Sequence, residues 1–170
     1  TGHLVFSTLH TNEASGAIPR LIDMNVKPAV IGPALTLIIA QRLVRKLCTQ
    51  CKQAYTPSPE ELERIKKIIA TLPPRTKKPD LTNITLYRTV GCDKCTKGFK
   101  GRLGVYEFLR ITKALEEFMQ QTPTVSAIKK MALKDGMTTM GQDGLIKILS
   151  GITTFEEVES IVGKIETTYE

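Results

Sequence analysis

At 170 residues, 41% of them hydrophobic and 24% charged, the chain can build one sizeable core, or one core with a smaller subdomain, and is not a disordered chain. A formal net charge of +7 favours anionic partners without choosing among nucleic acid, a membrane surface and an acidic protein. The longest apolar stretch, Pro28 to Ala40, is broken by Gly32, Pro33 and Thr36 and falls short of the roughly 18 residues a membrane-spanning helix needs.

In chain order, the opening TGHLVFSTLH has neither an initiator Met nor the basic-then-apolar layout of a secretory signal, and it enters core-type sequence at once. It reads as part of a longer chain. Within it, LVFSTLH is an apolar run of the buried-strand type, which places the first element in a buried sheet. NEASGAIPRLIDM and KPAVIGPALTLIIAQRLVRKL read as helices, with Pro19 and Pro33 as starts or kinks. The segment SPEELERIKKIIATL carries a helix signature: Ser58 as N-cap, Pro59 at the first helical position, Glu61 completing a capping box, and Leu62, Ile65, Ile69 and Leu72 at helical spacing. A polar, proline-broken linker, PPRTKKP, follows, and then the alternating run ITLYRTV predicts a strand. GRLGVYEFLRI predicts another strand, and short helices are expected over Thr112–Gln121, Thr124–Asp135, Asp143–Ser150 and Phe155–Val162, the last three stopping before glycines.

The only four cysteines, Cys48, Cys51, Cys92 and Cys95, form two C-x-x-C pairs separated by 40 residues. The two-residue spacer lets both sulfurs of a pair turn towards one ion, so two pairs suit a tetrahedral zinc site. Disulfides or buried thiols are the other readings, and the same four thiolates would accept iron of the rubredoxin type. The 40-residue excursion exceeds ordinary ribbon spacing and must carry structure of its own, which the helix and strand above provide.

TGHLVFSTLHTN, RLIDM, AQRLVRKLC, the two cysteine pairs and GFKGRLGVYEFL, in that order, resemble the C-terminal part of the type II secretion and type IV pilus assembly ATPases, the GspE/PilB group. The resemblance runs from Thr1 to about the end. It implies an α/β fold: residues 1–47 as the end of a RecA-like nucleotide-binding domain, 48–102 as a tetracysteine zinc subdomain with a helical insert, and 103–170 as a final strand with a small terminal helical bundle. It further implies that the phosphate loop, the acidic boxes and the catalytic Glu precede Thr1. Nothing in these residues replaces the loop, since the one Gly-Lys pair, Gly163-Lys164, is followed by Ile165 and has Val158 where the first glycine belongs. The chain alone is therefore expected not to hydrolyse ATP.

The same resemblance makes LVFSTLH part of a His box and places His10 at the strand's end near the γ-phosphate, with His3, seven residues away, on the opposite face. The plainer reading makes both core or capping histidines satisfied by backbone carbonyls. Arg42 and Arg45, three apart on the expected helix, could share one face and offer guanidinium forks to phosphate, or form a solvated basic face; the resemblance favours Arg45 as the nucleotide contact. Around the knuckles, Arg45, Lys46, Lys52, Lys94, Lys97, Lys100 and Arg102 outnumber Asp93, and their first role is to offset the double negative charge of a zinc tetrathiolate. The whole protein is expected to be a cytoplasmic homo-hexamer at the inner membrane that uses ATP and magnesium and works on a membrane platform protein, with no specific nucleic acid. A zinc-ribbon nucleic-acid binder, stacking bases on Tyr55 and Phe99, or a protein-interaction module is the rival class.

Overall fold

The computed structural model describes residues 3–167. A single 3₁₀ turn, Ala14–Gly16, leads into α1 (Ala17–Asp23), with α2 (Pro28–Ala34) after it. The expected long second helix ends at Ala34, and the chain continues as the strand β1 (Leu37–Leu47). Pro33 lies inside α2's last turn, where it strips one N–H from the helical ladder. Beyond it, Thr36, Ile38, Ile39 and Val44 are β-branched residues that suit a pleated surface better than a helix. After the first cysteine pair come β2 (Gln53–Tyr55) and α3 (Pro59–Ala70), then β3 (Leu86–Arg88) before the second pair. The strand β4 (Phe99–Arg110) and the helices α4 (Lys113–Met119), α5 (Val125–Lys134), α6 (Met140–Leu149) and α7 (Phe155–Val162) complete the fold.

The frame is an antiparallel ladder of β1 and β4, from Leu37 opposite Arg110 to Leu47 opposite Phe99, with an irregularity between Arg45 and Leu47 beside the first cysteine pair. β2 and β3 form a second two-stranded sheet. One core cluster gathers Val44, Ile65, Ile68, Leu86, Val105, Leu145, Ile148 and Val158; the other gathers Ile18, Ile31, Leu109, Leu115, Met119 and Ile128. Ala40, in the first half of β1, packs against both. Helices seal the ladder's flanks: the Tyr106 N–H donates to the Asp143 carboxylate on α6 at 2.8 Å, so one strand edge ends on a side chain.

The first predicted strand is not formed. Residues 3–11 have no regular structure, and Leu4, Val5 and Phe6 are 80%, 78% and 88% exposed. A strand needs a neighbour to satisfy its backbone, and neither two-stranded sheet among the described residues lies alongside this run. The insert helix, by contrast, begins where expected. Ser58 Oγ accepts from the Glu61 N–H at 3.2 Å, and the Glu61 carboxylate accepts from the Ser58 N–H at 2.8 Å. Replacing Ser58 with Ala is expected to lower stability by about 1 kcal/mol, and an unchanged urea midpoint would show that α3 does not depend on its cap.

Candidate metal centre

Two tight turns build the centre. At the first, the Lys52 N–H donates to the Cys48 carbonyl at 3.0 Å, curling Cys51 back over Cys48. At the second, Cys95 N–H reaches the Cys92 carbonyl at 3.3 Å, and Thr96 and Phe99 exchange two 3.0 Å bonds across Lys97 (φ 51°) and Gly98 (φ 82°). Positive φ at both central residues is a hairpin turn of the primed type. Gly98 is required there on two counts, because a Cβ would also lie 2.5 Å from Thr89 Cβ. The Cys48 N–H donates to the Gly98 carbonyl at 2.8 Å and draws the knuckles together.

The four Sγ atoms all lie within 4.8 Å of one another. Cys48 to Cys92 is 3.9 Å, Cys51 to Cys95 is 3.7 Å and Cys92 to Cys95 is 3.6 Å. A tetrahedron with bonds of 2.3 Å to sulfur has edges of about 3.8 Å, so the donor set can hold a metal ion in four-fold coordination. As acids the thiols are unequal. Burial pushes Cys51 up to about 12. Burial also opposes ionisation of Cys95, but hydrogen bonds from the Cys92 N–H and from the neighbouring thiols bring it down to about 7. A dication at the centre favours the thiolate at every position.

The arginines of the basic run stand on β1, not on a helix. Three residues apart on a strand, Arg42 and Arg45 point to opposite faces, and they do different things. Arg42 Nη2 donates to Asn12 Oδ1 at 2.8 Å and lines a cleft of about 490 Å³ with Glu13, Glu107, Lys129 and Lys164. Arg45 is bound to Glu157: its N–H reaches Oε1 at 2.8 Å, its Nε reaches Oε2 at 2.9 Å, and its guanidinium lies 4.2 Å from the centroid of the Phe99 ring. His3 and His10 are both exposed in this chain, and neither belongs to the metal-ligand cluster found among the described residues. Of the aromatics suggested for base stacking, Phe99 lies under Arg45 and Tyr55 donates to Glu61 at 3.0 Å.

The sequence profile described as "Type II/IV secretion system protein" matches residues 1–160. The chain belongs to that family. Among its relatives in the type II/IV secretion family, a type IV pilus assembly ATPase PilB of Thermus thermophilus is 40% identical over 159 residues, 93% of this chain and 17% of that protein. A type II secretion system ATPase E of Vibrio cholerae is 41% identical over 159 residues, 93% of this chain and 29% of that protein. The PilB of Pseudomonas aeruginosa is 38% identical over 161 residues, 95% of this chain and 27% of that protein. The chain spans less than a third of the length of these relatives.

Two acidic residues of this secretion-family chain were not singled out by sequence. Glu107, buried on β4, accepts from the Ala14 N–H at 2.9 Å, and burial holds its carboxyl above the usual range. Its sequence signal was weak: the one acid of a strand that also carries Lys100, Arg102 and Arg110. Glu157 sits at the third position of α7, where Thr154 caps the helix and a capping-box Glu is expected to turn back. Instead it reaches across to Arg45. Burial works against its charge, but the hydrogen bonds from the Arg45 side chain and N–H prevail and hold its pKa below the usual value. A lowered folded pKa means that the unfolded chain binds the proton more readily, so this stabilisation is present above the unfolded pKa and lost as pH falls through the folded one. Glu157→Gln is therefore expected to cost about 2 kcal/mol at pH 7. The gap to wild type should close as the pH drops below the ordinary glutamate range. Denaturant melts at pH 7 and pH 3.5 check this, and a pH-independent gap would contradict it.

Proposed function

We propose that this chain is the C-terminal, zinc-stapled part of a hexameric secretion or pilus-assembly ATPase. In the whole protein, ATP hydrolysis drives subunit motions that act on a platform protein at the inner membrane, with the enzyme on its cytoplasmic side. The observation that carries the reading is the coincidence, in one chain, of a family match over residues 1–160 with four cysteines packed at tetrahedral spacing. No described helix is long and apolar enough to cross a membrane, which is compatible with a peripheral position. The RecA-like reading of the β1–β4 ladder rests on the family.

Zinc is the metal we assign to Cys48, Cys51, Cys92 and Cys95, where it supplies a redox-inert cross-link with no open coordination position. Cys48 is buried and the other three are half-buried, as suits a structural ion. ATP and magnesium belong to the whole protein. Among the described residues the cysteines are the one cluster of three or more His, Cys, Asp or Glu side chains arranged to hold a metal.

This chain contributes His10 and Arg42 to the nucleotide side. Arg42 is tied to Asn12, two residues beyond His10, which keeps the histidine segment close to β1. His10 donates a hydrogen bond to a phosphoryl oxygen or to the group orienting the attacking water, and Arg42 presents a guanidinium to phosphate. Arg45, the other arginine assigned to nucleotide, is held by Glu157, so it reaches phosphate only by leaving that partner.

The test has two arms. The chain alone should release no phosphate from ATP above a heat-killed control. In the full-length enzyme, His10→Ala should lower kcat by about tenfold or more with nucleotide affinity nearly unchanged, the pattern of a lost transition-state contact. Turnover by the chain alone, or a His10→Ala enzyme with full kcat, would overturn the respective assignment.

A further inference from the structure

We infer that the metal centre is latched to the start of α7, so that metal occupancy sets the order of that helix and of the cleft at its far end. The inference rests on the zinc reading above and concerns residues outside the four ligands.

The first knuckle is gripped on both flanks by one short segment. Before it, the Leu47 N–H donates to the Ile152 carbonyl at 2.8 Å, and Thr153 Oγ1 donates to the Arg45 carbonyl at 3.0 Å. Arg45 in turn donates to Glu157, as described above. After it, Lys52 Nζ donates to the Gly151 carbonyl at 2.7 Å and stands 4.1 Å from the centroid of the Tyr87 ring. Gly151 (φ 68°) lies so close to Tyr87 that a Cβ would come within 2.7 Å of the ring, so the loop between α6 and α7 is seated against β3 as well. Residues 151–157 thus touch the chain on each side of Cys48 and Cys51.

Two properties make these contacts a coupling. The spacing between Leu47 and Lys52 is fixed by how the first knuckle closes, and a metal bound to all four thiolates fixes that closure. The helix they hold, α7, has only eight residues, well below the roughly 12–15 at which a helix begins to stand alone, so its order comes from tertiary contacts. Its first turn carries Glu157, while its last turn, Ile161 and Val162, walls the cleft that contains Arg42 and Lys129. One helix therefore spans the distance between metal and cleft. Coupling of this kind is reciprocal: if the metal orders α7, the latch residues raise metal affinity by the same factor.

Hydrogen exchange on the wild-type chain, zinc-loaded and then chelated, tests the inference without any variant. We expect protection of the α7 amides to fall on chelation by about tenfold more than that of α5 in the other core cluster, whose loss reports only the change in global stability. Competition with a chromophoric chelator should show Lys52→Met and Glu157→Gln binding zinc about tenfold more weakly, within the 5–150-fold range of coupled sites. Glu63→Gln, on the exposed face of α3, should bind as wild type does. Unchanged α7 protection, equal losses in α5 and α7, or variant affinities within twofold of wild type would each overturn the latch. If elemental analysis finds no metal at all, the zinc reading fails; one zinc per chain with an indifferent α7 defeats the latch alone.

Discussion

Chelating the zinc proposed above for the four cysteines, or replacing Cys95 with Ser, is expected to lower the thermal midpoint of the chain by roughly 10–20 °C. Apparent zinc-binding energies of tetrathiolate sites are on the order of 10 kcal/mol, and at least about 5 kcal/mol of that should appear as stability here, at about 2–4 °C per kcal/mol for a chain of this size. The structure says where the loss falls. The knuckles close a 40-residue excursion whose helix α3 supplies Ile65, Ile68 and Ile69 to the first core cluster. Without the cross-link that contribution rests on β2, β3 and the linker, none of which is long. Calorimetry with and without chelator, alongside elemental analysis showing about one zinc per chain, measures the effect. A purified, metal-free chain that melts at the same temperature would refute it.

The second large effect is expected at Gly144, where α6 passes α7. A Cβ at this position would lie 2.5 Å from Val158 Cγ1 and 3.3 Å from its Cγ2, and Val158 is fully buried. Two effects oppose each other for an alanine. Helix propensity favours it by about 0.8–1.0 kcal/mol. Overpacking against a β-branched side chain with one preferred rotamer costs about 1–3 kcal/mol. Overpacking wins narrowly for Gly144→Ala and decisively for Gly144→Leu, for which we expect a loss of about 3 kcal/mol or more. Adding Val158→Ala should return part of the loss. If the double variant is no better than the sum of the single ones, the two helices are not in the contact that the structure shows.

What could be read from sequence follows the range of the forces involved. Local chemistry was legible: Ser58 and Glu61 announced α3, glycines marked the ends of later helices, and the cysteine spacing announced a four-sulfur cluster. Arg42 and Arg45 were misread because a run such as LTLIIAQRLVRKL is apolar enough for either a buried helix or a strand, and the arbiter was a partner strand more than fifty residues away. α6 was expected from Asp143 but begins at Met140, because Thr139 and Gln142 form a reciprocal cap and Gln142 also bonds Thr71 at the end of α3. LVFSTLH has the composition of a strand; pairing is not a property of composition. Glu157 was hidden for a related reason, since its helix-start position explained it well enough without a distant arginine.

The irregular end of the β1–β4 ladder also bears on the order of events in folding. Pairing Leu47 with Phe99 closes a loop of about 50 residues, and pairing Leu37 with Arg110 first would close one of about 70, at the corresponding entropic penalty. The cysteines sit at the shorter-loop end, just inside the loop that this first pair closes. Once four thiolates share an ion, the ends are already held, and each further pair from Leu43 and Gly104 outward adds bonds without closing a new loop. The ladder should therefore zip from the knuckles towards α2 and α4 and fray in the reverse direction, and a metal bound early at the four cysteines would speed the native pairing.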